Sequence, residues 1–316
     1  MIWLTWRQHR KQALYAVVAL AVLAAAMVPT GLHMHSVFES SGLAACQDGR
    51  GTACDRVVNQ FGNRFASLAF VPILFMLLPL LIGLFFGAPL VAREVEQGTH
   101  RLVWTQGVSR LHWASVKLVL LGTAAVVLST VYALGVSWWI TPLAAAGSGR
   151  FGNGYFDVQG IAPIGYTLFA LALGTFAGTV WTRVLPAMAA TLGAFAVVRT
   201  LVEVFARPHF MPAKTLTYGI QDAPPRMAAR VAGNWVYSQG VRDAAGRMVI
   251  PDGQVTCPAT TKSGCGVPGL GPGSYNWEVY QPASRFWEFQ LIETGLFVAL
   301  AAVLLHLAVR RIRQIA

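Results

Sequence analysis

Six separated apolar runs dominate this sequence: Ala13–Val28, Leu68–Ala92, Val116–Ile140, Ile164–Trp181, Leu185–Phe205 and Phe286–Val309. With its flanks, each reaches the roughly 20 residues that a helix needs to cross a bilayer. A water-soluble chain could not hide all six. Of its 316 residues 55% are hydrophobic and only 12% charged, too few to coat a core of that size. Inside lipid every backbone N–H and C=O must find its partner within the protein, so such runs become helices. The expected class is an all-α polytopic membrane protein with six transmembrane helices.

The net charge of +11 does not point to nucleic acid. The basic residues sit in loops and at span ends, not on one face among stacking aromatics. Short connections and termini hold Arg7, Arg10, Lys11, Arg93, Arg101, Arg110, Lys117, Arg183, Arg310, Arg311 and Arg313. That bias places them, and both termini, in the cytoplasm. The opposite loop 31–67 balances its arginines with Glu39, Asp48 and Asp55. The basic loop 206–285 is long enough to be exempt from the rule. A basic start followed by an apolar run also fits a signal peptide, and the loop after it stays outside on either reading.

Three regions follow: residues 1–205 with spans one to five, an extracellular loop domain at 206–285, and residues 286–316 with the last span and a basic cytosolic tail. Within the loop domain, Asn234–Ser238 and Arg247–Ile250 flank a turn at Asp243–Gly246. This predicts a small β-hairpin or α/β insertion before the last span. The Pro/Gly-rich part beyond Pro251 reads as loop.

Cys46 and Cys54 lie in the first outer loop, Cys257 and Cys265 in the last, so all four thiols face the oxidising side. Disulfides are expected there. Four cysteines allow three pairings, and each Cys-x7-Cys pair can close its own loop. His33 and His35 would flank one residue of an extended strand, which is too few ligands for a metal site. Pro79 removes a backbone bond near the middle of the second span and predicts a kink. Gly174 and Gly178, preceded by Ala170, let two helix backbones approach closely, by default within one subunit.

Ionisable residues within the spans are few. Arg199 and Glu203 fall in the fifth and Glu293 in the sixth. Arg199 and Glu293 both lie roughly 10 Å below the same surface at about 1.5 Å per residue. A lone charge there costs about 3 kcal/mol on insertion scales. Equal depth and opposite sign predict an Arg199–Glu293 bridge, with Glu203 as a possible third member, acting as an interhelical brace or as a polar patch on a transport route.

The one densely polar segment between two spans is 93–113. It starts with Glu94 and Glu96 and turns at Gly98-Thr99. A short amphipathic helix runs from Thr99 to Gln106, carrying Arg101, Leu102 and Trp104. Gly107 can stop that helix. The Ser109 hydroxyl can cap the next one ahead of Arg110.

This segment resembles the cytosolic connection between the second and third spans of ABC-2-type ABC transporter permeases. There an acidic start leads through Glu-x-Gly-Thr into a coupling helix and a Ser-Arg turn. Glu96, Gly98, Thr99, Ser109 and Arg110 match. The chain is most similar to a bacterial subgroup with a Thr-Trp-Arg-Gln-His-Arg-like start, here Thr5 to Arg10. That subgroup also approaches the last span through Tyr280, Gln281, Pro282, Ser284 and Arg285. The resemblance implies a bacterial plasma-membrane permease that exports a substrate, paired with a second permease copy. It implies a separate ABC ATPase that binds ATP and Mg and pushes on the coupling helix. No Gly-x-x-x-x-Gly-Lys-Ser/Thr phosphate loop occurs in this chain, so no nucleotide cofactor is expected on it. The sparsely charged spans lean toward an amphipathic or hydrophobic cargo. The competing reading is a membrane enzyme with its active site in 206–285, where His209, Asp222, Ser238 and Asp243 are the polar candidates. A third is a sensor anchored by six spans.

Overall fold

A computed structural model describes residues 2–43, 52–68, 70–98, 109–147, 149–152, 154–222, 233–257 and 266–314. Six helical segments are long and apolar enough to cross a membrane: Val17–Ser40, Ala66–Glu96, Leu111–Ala146, Ala162–Val180, Val184–His209 and Ala283–Gln314. We call them spans one to six. The ends of spans five and six that border a small sheet define the sheet side. The opposite end, with residues 97–98, 109 and 181–184, is the turn side.

Two helices outrun their apolar runs. The first is helical from Ile2 to Ser40 and the third from Arg110 to Ala146. Residues 31–40 and 141–146 are therefore helix where loop is expected from sequence. Pro29 and Pro142 lie inside these helices without ending them. A helical proline leaves the carbonyl four residues back without its N–H partner. For Pro142 that carbonyl belongs to Trp138, and His35 Nε2 fills the gap at 3.0 Å. One turn below, Trp139 Nε1 donates to Thr30 Oγ1 at 3.0 Å. Gly31 permits this contact, because a Cβ there would sit 2.6 Å from the Trp138 ring. His33 and His35 are thus on a helix, not a strand, and point about 200° apart. After the first span, the helix Thr52–Arg64 buries Phe61, which packs at an angle on Phe65 and Phe38.

Span two is interrupted. Short helices at Val71–Met76 and Leu78–Ile82 lead into a π-helical turn, Gly83–Gly87, and then Ala88–Glu96. Pro79 and Pro89 each fall in the first turn of their segment, where a missing N–H is least costly. The expected break at Pro79 is present, and the Phe75 carbonyl, which residue 79 cannot serve, accepts from a backbone N–H at the helix end and from Tyr132 Oη of span three at 2.9 Å.

Span four is the central helix, and most of its residues are buried. It meets span two through small residues. A Cβ on Gly174 would collide with the Gly83 carbonyl oxygen, and one on Gly178 would lie 2.6 Å from that of Ala88. Reciprocally, a Cβ on Gly83 would meet the Ala170 oxygen at 2.5 Å and one on Gly87 the Leu171 oxygen at 2.7 Å. The Gly-x-x-x-Gly pattern is thus used within the chain, against a second one on span two.

Span five ends in a π-helical turn, Val202–Ala206, and a 3-10 turn, Arg207–His209. Between spans five and six lies an antiparallel four-stranded sheet of β1 (Lys214–Gly219), β2 (Trp235–Arg242), β3 (Met248–Pro251) and β4 (Tyr275–Gln281), in the order β1-β4-β2-β3. The β2–β3 hairpin turns at Asp243–Gly246, as its sequence predicts. Asp243 Oδ1 accepts from the amides of Arg247 and Ala245, and these bonds, with the Arg247 guanidinium, hold its carboxyl below the usual range. Strand β4 corrects the expectation of loop beyond Pro251. Of its buried residues Asn276, Glu278, Tyr280 and Gln281, three are polar without an aromatic or aliphatic body, so it lacks the alternating apolar signature of a half-buried strand. Below the sheet, Phe151, Phe156, Phe286 and Phe289 form an aromatic floor against Trp235.

Candidate functional site

Two polar assemblies stand out in this apolar bundle. The first is the junction on the turn side. Span two ends at Glu96, and Gly98 takes a left-handed φ of 68°, which lets the chain leave the helix. Span three restarts with Ser109 as N-cap, its Oγ accepting from His112 N at 3.2 Å. Between them, Thr99, Arg101, Leu102 and Trp104 lie outside the described residues.

The acids that precede the turn each reach a different helix. Glu94 Oε1 forms an ion pair with Lys117 Nζ of span three. Lys117 is 5% exposed and its ammonium lies 4.6 Å from the centre of the Trp113 ring. Glu96 Oε2 accepts from the backbone amide of Val184 at 3.0 Å, the first residue of the span-five helix. A carboxylate at that position satisfies an orphan amide and complements the positive helix end. Ala88, Ala92, Ala177 and Ala187 close the space between spans two, four and five. The result is a packed joint in which the segment Ala88–Glu96 is tied to spans three, four and five.

The second assembly is a buried charge network on the sheet side. Arg199 Nη1 lies 3.1 Å from Glu293 Oε1, and its Nη2 lies 2.6 Å from Asp157 Oδ1. Arg207 Nε reaches Glu293 Oε2 at 2.7 Å, and Arg207 Nη2 reaches Glu293 Oε1 at 2.8 Å and also Asp157 Oδ1. Tyr166 Oη donates to Glu293 Oε1 at 2.6 Å, and the Arg199 guanidinium lies 3.9 Å from the centre of its ring. Asp157 and Glu293 are essentially inaccessible. Two guanidiniums thus neutralise two carboxylates where any unpaired member would be costly. Burial alone would raise the Asp157 carboxyl, but Arg199 and Arg207 hold it below the ordinary range. Beside the network, Gln290 Oε1 accepts from the amides of Ile161 and Ala162 at 3.0 and 2.8 Å, capping span four from span six.

The structure brings Arg199 and Glu293 together. It does not bring in Glu203, which forms no ion pair among the described residues. Asp157 and Arg207 do not emerge from the sequence, where both fall in loops next to the spans. The π-helical turn at 202–206 explains Arg207. Eight residues of α-helix would rotate it about 80° from Arg199. One inserted residue makes eight act like seven and reduces the offset to about 20°.

The polar groups of the sheet region serve local structure. Asp222 Oδ2 accepts from Gly219 N at 3.0 Å, Asp243 builds its hairpin turn, and His209 Nδ1 bonds the Phe205 carbonyl at 2.8 Å. Ser238 lies on β2 opposite Val279. The structure assembles no nucleophile, base and acid from them. No group of three metal-ligating side chains occurs among the described residues. Cys54 and Cys257 are not free thiols, and Cys46 and Cys265 lie outside the described residues.

Among known proteins, the model of the family described as ABC-2 membrane transporter related matches residues 17–207, more than half of the chain. No curated protein matches, and no solved structure does. The match covers spans one to five, including the interrupted span two and the joint on the turn side. With six spans and that match, the chain belongs to the ABC-2 membrane transporter related family.

Proposed function

We propose that this chain is the permease subunit of an ABC-2-type transporter in a bacterial plasma membrane. It exports an amphipathic or hydrophobic substrate and works beside a second permease copy. A separate ABC ATPase supplies the energy by hydrolysing ATP with Mg, and the chain itself is not the enzyme. The turn side is cytosolic, as its arginines favour, and the sheet is extracellular. Residues 99–106 form the helix on which the ATPase docks, with Glu94, Glu96, Gly98, Ser109 and Arg110 as its frame. On the extracellular side Cys46, Cys54, Cys257 and Cys265 are held in disulfides, as thiols on the oxidising side favour.

The observation that carries this reading is the joint on the turn side. A connection that only joins spans two and three needs no carboxylate that reaches span five. Glu94 on Lys117 and Glu96 on the Val184 amide fix the end of span two to spans three and five. A push on the turn is thereby delivered to several spans at once. The test is a photo-crosslinking amino acid at Trp104 in cells that express the chain. Capture of a P-loop ATPase by position 104, and not by a control position such as Met248 on the sheet, is the expected result. Capture of no ATPase from any of positions 101, 102 and 104 would contradict it.

A further inference from the structure

We infer that Glu96 is a positioning residue that transmits ATPase motion from the turn to span five, and that the Glu94–Lys117 pair does the same for span three. The inference rests on the permease reading and adds the route that force takes beyond the docking helix.

The geometry singles out these groups. Span five presents its first helical amide, Val184 N, to Glu96 across 88 residues of sequence, and Arg183 before it makes no side-chain cap of its own. Glu96 is thus the N-terminal cap of a helix to which it does not belong. Lys117 is a buried lysine whose ammonium is held between a carboxylate and an indole face, an arrangement that tolerates little sliding. Both ties leave one short helix, Ala88–Glu96, which is seated on span four through Gly178. Toward the sheet side that helix is preceded by the π-helical turn Gly83–Gly87 and the break at Leu77, where regular hydrogen bonding is interrupted. A rigid terminal segment, bound to three neighbours and joined to the rest of its span through irregular turns, has the form of a lever.

The test uses the intact complex with its co-purified ATPase, reconstituted in lipid. Amide hydrogen exchange over residues 184–201 is compared with and without Mg-ATP and vanadate, alongside nucleotide hydrolysis. In the wild type, trapping changes exchange over 184–201. In Glu96→Ala that change, read per ATPase-bound complex, is lost. Glu96→Gln keeps an oxygen that can accept from Val184 N and restores the change, whereas Glu96→Met, of similar size but without that acceptor, does not, which separates the hydrogen bond from general packing. For the second tie, Glu94→Lys and Lys117→Glu each abolish transmission to span three, and the double exchange restores it. This arm also serves if Glu96→Ala does not fold. An unchanged response in Glu96→Ala, failure of Glu96→Gln to restore it, or failure of the charge exchange overturns the inference while leaving the permease reading intact. Absence of any ATPase from the wild-type preparation defeats the permease reading, and this inference falls with it.

Discussion

Tyr132 donates its phenolic hydrogen to the carbonyl of Phe75 at 2.9 Å, the carbonyl that Pro79 cannot serve. A proline in one span and a hydroxyl in the next are therefore one structural unit. The same arrangement recurs where His35 serves the Trp138 carbonyl stranded by Pro142. In each case a side chain from a neighbouring span serves a carbonyl that a proline cannot. Both breaks are thus stable features that lock span three to spans one and two.

Tyr132→Phe should lower stability by about 1 kcal/mol, as expected for loss of one buried hydrogen bond. Thermal or denaturant unfolding in detergent measures this. In a Pro79→Ala background the backbone amide regained at position 79 can serve Phe75, so the same change should cost less. Equal costs in the two backgrounds would show that the Tyr132 bond is not coupled to the Pro79 break.

The contact between spans two and four makes a sharper forecast. Gly174→Ala puts a methyl well inside van der Waals contact of the Gly83 carbonyl oxygen and the Ala88 amide nitrogen, and it should cost roughly 1–3 kcal/mol as an overpacking change. Gly122→Ala and Gly193→Ala, where a Cβ meets nothing within 4 Å, should be neutral or slightly stabilising. Melting temperature and membrane yield of the three variants decide the matter. A tolerated Gly174→Val would contradict the close backbone approach.

Arg207→Met leaves Asp157 and Glu293 facing Arg199 alone, and should cost about 3–5 kcal/mol, the range for breaking a buried ion pair. Removing charge of both signs with Arg207→Met and Glu293→Gln should cost less than the sum of the single changes. A double-mutant cycle on unfolding free energy reads this directly. Strict additivity would mean that the two side chains do not interact.

His35→Phe keeps an aromatic ring to stack on Trp138 but removes the donor to its carbonyl. Stability should fall by about 1 kcal/mol, and adding Pro142→Ala should recover most of it. No divalent metal should shift the wild-type melting temperature through His33 and His35. A metal-dependent rise lost in His35→Phe would show that the pair does bind a metal.

The spans were legible because their signal is additive. A run such as Val116–Ile140 or Phe286–Val309 is apolar around most of its circumference, and no tertiary detail is needed to see it. The Pro79 break, the Ser109 cap and the Asp243 turn were legible because local chemistry fixes them. The long-range partners were not. Nothing near Glu96 in sequence announces the amide of Val184, and nothing near Tyr132 announces the carbonyl of Phe75. Arg207 was hidden by a one-residue change of helical phase, and β4 by a buried face made of Asn276 and Glu278 rather than valines. In each case the deciding term is an interaction between segments far apart in sequence, which composition and periodicity do not register.

The central claim is that this chain works with a separate ATPase docked at residues 99–106. The most direct measurement is purification of the tagged chain from its native membrane in mild detergent, with co-eluting proteins identified and ATP hydrolysis assayed. The account predicts a roughly stoichiometric P-loop ATPase that hydrolyses ATP and is lost when 99–106 is scrambled. A pure single chain without nucleotide hydrolysis, under conditions that preserve other membrane complexes, would contradict it.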